Sequence, residues 1–212
     1  MRGRGCVLMS FDILLSPEVK TRQDLALLCN ARKFWRVAEI GTDIGLYASQ
    51  FLERWRGEYF FCVDPYSPYD EMTYDRTGDM LVAVQTLQRF HPKVKFIRAA
   101  SPCAAKLLPE WIMLEFAYID GCHEYEAVKA DLQAWWDRLY NGPVILAGHD
   151  FDVGHLGVMR AVKEFCEEKQ VTIYTTDESL PSWYCYKEEP EQLISIMEMQ
   201  EQARACTEIG IL

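Results

Sequence analysis

Short apolar runs alternate along this chain with longer stretches in which apolar residues recur every three or four positions, the alternation of strands with helices. Val37, Ala38 and Ile40 form the first run, interrupted by Glu39 and stopped at Gly41. Further runs follow at Tyr59–Val63, Val94–Arg98, Phe116–Ile119, Pro143–Ala147, Val171–Tyr174 and Trp183–Tyr186. Helical spacing predicts helices over Leu46–Arg56, around Met80–Phe90, from Ala99-Ala100-Ser101-Pro102 to about Leu108, over Glu124–Leu139 and over Val158–Glu168. In the fourth of these, Ala127, Val128, Leu132 and Trp135 share one face. Ahead of the first run, Ser16 as cap and Pro17 in the first turn predict a helix over 17–33, with a stripe of Leu25, Leu27, Leu28 and Ala31. Residues 1–16 carry no clear signal, and a polar helix is predicted over 190–206. The pattern is that of an α/β fold with a doubly wound, mostly parallel, seven-stranded sheet closed by a β-hairpin. One domain over 1–212, with its core at about 35–187, accommodates every element.

The first strand runs into a glycine turn, Glu39-Ile40-Gly41-Thr42-Asp43-Ile44-Gly45, and then a helix. In doubly wound sheets nucleotides sit beyond the carboxyl ends of such strands. A pyrophosphate needs G-x-G-x-x-G, whereas this turn is E-x-G-x-x-x-G, whose carboxylate would repel a phosphate. S-adenosylmethionine (SAM) carries an ammonium and a sulfonium and no phosphate, so an acidic lip favours it over NAD; a turn with no ligand is the plain alternative. A side chain added at Gly41 is expected to fill space that a ligand needs.

Composition narrows the partners. Among 212 residues, 50% are hydrophobic and 25% charged, as in ordinary globular chains. A net charge of −10 disfavours nucleic acid and anionic membrane surfaces. The eight cysteines are scattered without a C-x-x-C pair, which suits reduced thiols and a cytoplasmic setting better than a disulfide framework. Arg2 and Arg4 precede apolar residues, but Asp12 interrupts them and no small-residue cleavage site follows, so a signal peptide is not expected. No apolar run approaches the length of a membrane span.

Asp64, Asp120 and Asp150 each end a predicted strand, and in a parallel sheet those ends share one edge. They are therefore expected to converge on one cleft with Glu39 nearby. His123 follows Asp120 by three residues, His149 adjoins Asp150, and His155 lies in the same span. Asp120, His149 and Asp150 together could hold a divalent cation, or could form a metal-free hydrogen-bonded cluster. His123 is a candidate general base, since imidazole titrates near neutral pH, although a loop histidine is more often structural. The long connection from Pro65 to His91, rich in Tyr and Pro, is either a lid or a surface excursion, and Tyr69 and Tyr74 in it are candidate acceptor contacts.

The strings EIGTDIG, VDPY, FAYIDGCHEYEAVKADLQAWW and GHD, in that order, resemble class I SAM-dependent methyltransferases. More narrowly they resemble the branch of the macrolide-sugar O-methyltransferases, methyltransferase family 24. The likeness spans about residues 35–187 and is most specific from Tyr118 to Trp136. It implies the Rossmann-like methyltransferase fold, with Glu39, Gly41, Thr42 and Gly45 lining the methionine end of SAM. It further implies Asp64 at the ribose hydroxyls, Ala100 and Ser101 beside the adenine, and Asp120 lining the cofactor cleft. Asp120, His149 and Asp150 match metal-ligand positions, for Mg or Mn, while His123 matches the base. Catechol and caffeoyl-CoA O-methyltransferases place a lysine where His123 stands, which favours the sugar-methylating branch. Cys122 replaces a common Asp, and His149 replaces an acidic ligand, which weakens a site for a hard cation.

The reading is thus a SAM-dependent O-methyltransferase acting on a small-molecule or sugar hydroxyl, with His123 and Asp120 as catalytic residues. Its oligomeric state is open, a homo-oligomer included. A SAM-binding protein without catalysis, acting as sensor or partner subunit, and an NAD-dependent oxidoreductase are the rivals.

Overall fold

The computed structural model describes residues 13–68 and 74–190. The predicted C-terminal helix over 190–206 and Tyr69 fall outside them, apart from Pro190. Among the described residues the strands are β1 (Ile13–Leu15), β2 (Arg36–Ile40), β3 (Tyr59–Val63), β4 (Val94–Ile97), β5 (Phe116–Ile119), β6 (Ile145–Gly148), β7 (Ile173–Thr175) and β8 (Trp183–Tyr186). The helices are α1 (Leu25–Ala31), α2 (Leu46–Arg54), α3 (Thr77–Leu87), α4 (Ser101–Leu107), α5 (Tyr125–Trp136) and α6 (Leu156–Lys169).

The eight strands form one sheet in the order β1-β7-β8-β6-β5-β2-β3-β4, in which β8 alone runs antiparallel to its neighbours. The sheet therefore has one strand more than the seven expected. β1 is the addition, a three-residue edge strand paired in parallel with β7, and two of its residues, Ile13 and Leu15, are exposed. Central strands read differently: β5 and β6 are buried along their whole length, as strands covered by helices on both faces must be. Phe51 of α2 stacks on Phe116 of β5 with ring centroids 5.4 Å apart, and Trp135 of α5 is fully buried.

The N-terminal helix starts later than Ser16-Pro17 suggests. Ser16 Oγ accepts from the backbone N–H of Glu18 and Val19 at 3.2 and 2.7 Å and also meets Tyr184 Oη, which closes a turn rather than opening a helix. The helical path begins at a 3-10 turn over Arg22–Asp24, where Asp24 Oδ2 accepts from the N–H and hydroxyl of Thr21. Leu27, counted in the expected apolar stripe, faces outward, while Leu25, Ala26, Leu28 and Cys29 are buried. In the connection after β3, the described part is docked: Leu87 of α3 packs within 3.2 Å of where a Cβ on Gly45 would lie.

Register fixes the functional edge. Ile40 of β2 pairs with Val63 of β3 and with Ile119 of β5, and Ile119 pairs with Gly148 of β6. The next residues, Asp64, Gly41, Asp120 and His149, consequently form one row across four strands. The ladder continues into that row, with Asp120 N–H donating to Ile40 O at 2.7 Å and His149 N–H to Ile119 O at 3.0 Å. Gly41 sits at φ +91°, and a Cβ there would lie 1.9 Å from Asp120 O. Its bare α-carbon is needed by the neighbouring backbone before any ligand is considered, which revises the expectation above.

Gly41→Ala is accordingly expected to lose more than about 2 kcal/mol of stability, from overlap with β5 and a strained backbone. Urea unfolding measures this; a Gly41→Ala protein as stable as its parent would remove the strand contact as the reason for the glycine.

Candidate active site

A cleft of about 440 Å³ opens beyond the strand ends and is lined by Gly41, Asp43, Asp64, Arg76, Ala100, Ser101, Asp120, His123 and Asp131, among others. Its apolar wall is made of Ile40, Val63, Pro102, Ala127 and Ala130. The site residues expected from the sequence divide into three groups about this cleft.

Beneath the glycine turn, Glu39 and Thr42 are buried and do not line the cleft. Glu39 Oε2 and Thr42 Oγ1 are buried with no well-aligned hydrogen-bond partner among the described residues, an arrangement that costs free energy. Burial, reinforced by the charge of Asp120, pushes the Glu39 carboxyl well above the usual carboxylate range, although the Thr42 hydroxyl lowers it somewhat. Gly45, at φ +79°, caps α2 and faces Leu87 rather than the cleft.

At the β3 end, Asp64 is 2% exposed and carries four donors. Oδ1 accepts from Tyr66 N–H at 2.8 Å and Arg76 Nη1 at 3.0 Å, and Oδ2 from Asp43 N–H at 2.9 Å and Arg76 Nη2 at 3.4 Å. Arg76 also pairs with Asp43 at 2.7 Å and Asp79 at 3.2 Å. Sequence reading missed this arginine because it comes from the long connection, with no local pattern tying it to a strand end. Asp64 and Asp120 line the cleft from either side of β2, whereas Asp150 is not in its lining and sits instead with His149 and Asp120 around a small adjoining pocket, so the three aspartates do not all converge on one cleft.

At the β5 and β6 ends the expected residues do assemble. His123 Nε2 lies 3.0 Å from Asp150 Oδ2, and His149 Nδ1 lies 2.9 Å from Asp150 Oδ1 and 4.0 Å from Asp120 Oδ1. Asp150 adopts φ +56°, a left-handed backbone that Asp tolerates better than most residues and that carries local strain. Burial would raise the Asp150 carboxyl, but hydrogen bonds from His123 and His149 hold it far below the usual range. Burial would lower His149, yet its bond to Asp150 and the charge of Asp120 raise it overall. Asp120 is raised chiefly by burial, with His149 opposing and Asp150 adding to the rise. Arg22 Nη1, another residue the sequence did not single out, stands 3.9 Å from Asp120 Oδ2 and stacks over Tyr47.

One ligand atom each from Asp120, His149 and Asp150 lies within 4.8 Å of the other two, so the set fits a divalent ion in geometry. Its chemistry, two carboxylates and an imidazole, suits a borderline ion such as iron(II) or zinc better than magnesium or manganese, which favour oxygen. The cleft lining, apolar at Val63, Pro102, Ala127 and Ala130 and acidic at Asp43, Asp64 and Asp120, fits a ligand that carries a flat ring and positive charge.

Residues 38–151 match the family model described as a methyltransferase domain. Among solved structures, the chain is similar to cofactor-bound Rv0187 from MTB (16% identity, 83% of this chain and 84% of that one, TM-score 0.63). It is similar also to an O-methyltransferase from Bacillus cereus in complex with SAH (11% identity, 82% and 84% covered, TM-score 0.60). The O-methyltransferase TomG from Streptomyces achromogenes, involved in tomaymycin synthesis and in complex with SAM, is alike to a similar degree (12% identity, 82% and 83% covered, TM-score 0.60). At these identities the likeness establishes the fold. No curated protein matches the chain significantly.

Asp131 of α5 was not anticipated as a cleft residue. It is 5% exposed at the floor beside Ser101, whose Oγ accepts from Trp135 Nε1 at 2.8 Å, and burial pushes its carboxyl up to about 6. A carboxyl raised in the folded state favours folding fully below its unfolded pKa, and that contribution is lost as pH rises through the folded value. Asp131→Asn, which keeps the shape without the charge, is therefore expected to be about 1–3 kcal/mol more stable than its parent near pH 8 and equal to it near pH 4. Urea unfolding at the two pH values checks this; a destabilised Asp131→Asn near pH 8 would mean the carboxylate has a partner worth more than its burial costs.

Proposed function

Because the chain belongs to the methyltransferase-domain family and is a SAM-dependent methyltransferase, we propose that it methylates a hydroxyl of a small molecule or sugar, with His123 as general base. One observation carries the reading: His123, at the cleft wall, has Nε2 3.0 Å from Asp150 Oδ2. A neutral imidazole that donates Nε2–H to Asp150 carries its lone pair on Nδ1, the nitrogen then able to take a proton. The carboxylate fixes the tautomer and stabilises the imidazolium once the proton has moved, as the aspartate does in a Ser-His-Asp triad.

SAM supplies a methyl carbon on a sulfonium, open to in-line attack by an oxygen nucleophile. The residues of this chain bind and orient around that demand. Asp43 and Asp120 at the glycine-turn end of the cleft offer the carboxylates that an ammonium calls for, whereas Glu39 and Thr42 lie buried beneath the turn and off the cleft lining. Ala100, Pro102, Ala127 and Ala130 form an apolar slot between the β4 end and α5 that suits a flat ring, with Ser101 and Asp131 as polar groups at its edge. His123 takes the acceptor proton as the oxygen forms its new bond to carbon and the carbon–sulfur bond breaks. Asp120, His149 and Asp150 would hold a divalent ion, which when bound lowers the pKa of a coordinated hydroxyl. Holding the oxygen in line is the chief task, since there is little covalent chemistry for the protein to perform. Oxygen as the acceptor atom accords with the similar O-methyltransferases from Bacillus cereus and Streptomyces achromogenes.

Calorimetry with SAM and with NAD tests the cofactor, and only SAM is expected to bind. Screening hydroxylated acceptors with labelled SAM then supplies an assay. His123→Ala is expected to fold and bind SAM as its parent does, with methyl transfer slowed by about 10²–10⁴, the usual contribution of a general base. Near-parental turnover by His123→Ala would end the base assignment.

A further inference from the structure

His155 is not used by the reading above, yet it belongs to the same cluster. The rings of His123 and His155 lie 4.9 Å apart at 55°, and His155 Nδ1 is 3.8 Å from Asp150 Oδ1. The backbone is built for this proximity. A Cβ on Gly157 would sit 2.6 Å from His123 O, so only glycine lets the start of α6 close on the loop after β5. One ligand atom each from His123, Asp150 and His155 lies within 4.8 Å of the other two.

We propose that His123, Asp150 and His155 form a binding site for a borderline transition ion of the zinc class, which shares Asp150 with the Asp120-His149-Asp150 set and competes with it for that carboxylate. Donors about 2.0–2.1 Å from a tetrahedral ion lie roughly 3.4 Å from each other. His123 Nε2 stands 3.0 Å from Asp150 Oδ2 and His155 Nδ1 stands 3.8 Å from Asp150 Oδ1, so the carboxylate meets one imidazole with each of its oxygens at separations near that value. Two imidazoles and one carboxylate select zinc, cobalt or iron over magnesium or calcium, which want oxygen. Asp152 Oδ2 lies 3.1 Å from His155 Nδ1, and its Oδ1 accepts from Gly154 N–H at 2.6 Å, which orients the His155 ring. Entry is open, because the His123 and His155 side chains are 33% and 31% exposed.

Ion binding at His123 Nε2 places the ring proton on Nδ1, so a zinc-class ion and proton acceptance by His123 exclude each other. The site is therefore inhibitory if His123 is the base, but its existence does not rest on that role.

Cobalt(II) reports the site directly, through visible d–d absorption of the purified full-length protein after chelator treatment, with zinc as competitor. One equivalent is expected to bind and to be displaced by zinc. His155→Ala should weaken cobalt at least tenfold and clearly more than His149→Ala, which removes a hydrogen bond to Asp150 but no donor of the site. Calorimetry with SAM confirms that each variant is folded, and His155→Gln, which keeps a polar group at the start of α6, stands in if His155→Ala does not fold. Three results would overturn the site: no absorption at cobalt well above the protein concentration, loss of binding on removing His149 but not His155, or a thiolate charge-transfer band placing the ion on a cysteine.

Discussion

The structure depends on a backbone contact between two strand ends. With no Cβ on Gly41, the carbonyl of Asp120 can lie where a side chain would otherwise stand, and β2 and β5 stay in register past their last paired residues. From that contact follows the row of Asp64, Gly41, Asp120 and His149 across four strands. Loops are usually free to wander in an α/β fold, but here the first residue of each is still bound to the ladder. Positional precision at the cleft is thus inherited from the sheet rather than built by side chains.

Electrostatics then decides what the row can do. A chain of net charge −10 gathers several carboxylates at one edge, an arrangement that repels itself unless cations intervene. Two solutions are used side by side. On the β3 side a guanidinium lies among Asp43, Asp64 and Asp79, a permanent charge that pH does not remove. On the β6 side imidazoles surround Asp150, and these can release or accept a proton. Permanent compensation falls at the wall of the cleft, and titratable compensation beside the proposed chemistry.

Much of this was legible in the chain, for physical reasons that differ from element to element. The bounds of β3, β5 and β8 are those of their apolar runs, because strands covered on both faces have no reason to admit polar residues until they end. That same rule brought Asp120, His149 and Asp150 together before any coordinates. β1 was invisible because three residues at an edge, two of them exposed, give no period to read. Ser16-Pro17-Glu18 misled because a serine accepting an N–H three residues on serves a turn as well as a helix cap. Arg76 and Arg22 were out of reach, since each meets its carboxylate over a sequence gap that no local pattern encodes.

The saturated state of Asp64 has a further consequence. Each of its two oxygens already accepts two donors, so a hydroxyl that reaches it cannot simply add a bond. It has to displace an N–H or a guanidinium arm, and the free energy of arrival is the difference between what it offers and what it replaces. Recognition at this carboxylate is therefore an exchange reaction inside the protein. Its balance is set as much by how readily Arg76 finds Asp43 and Asp79 as alternative partners as by the incoming ligand.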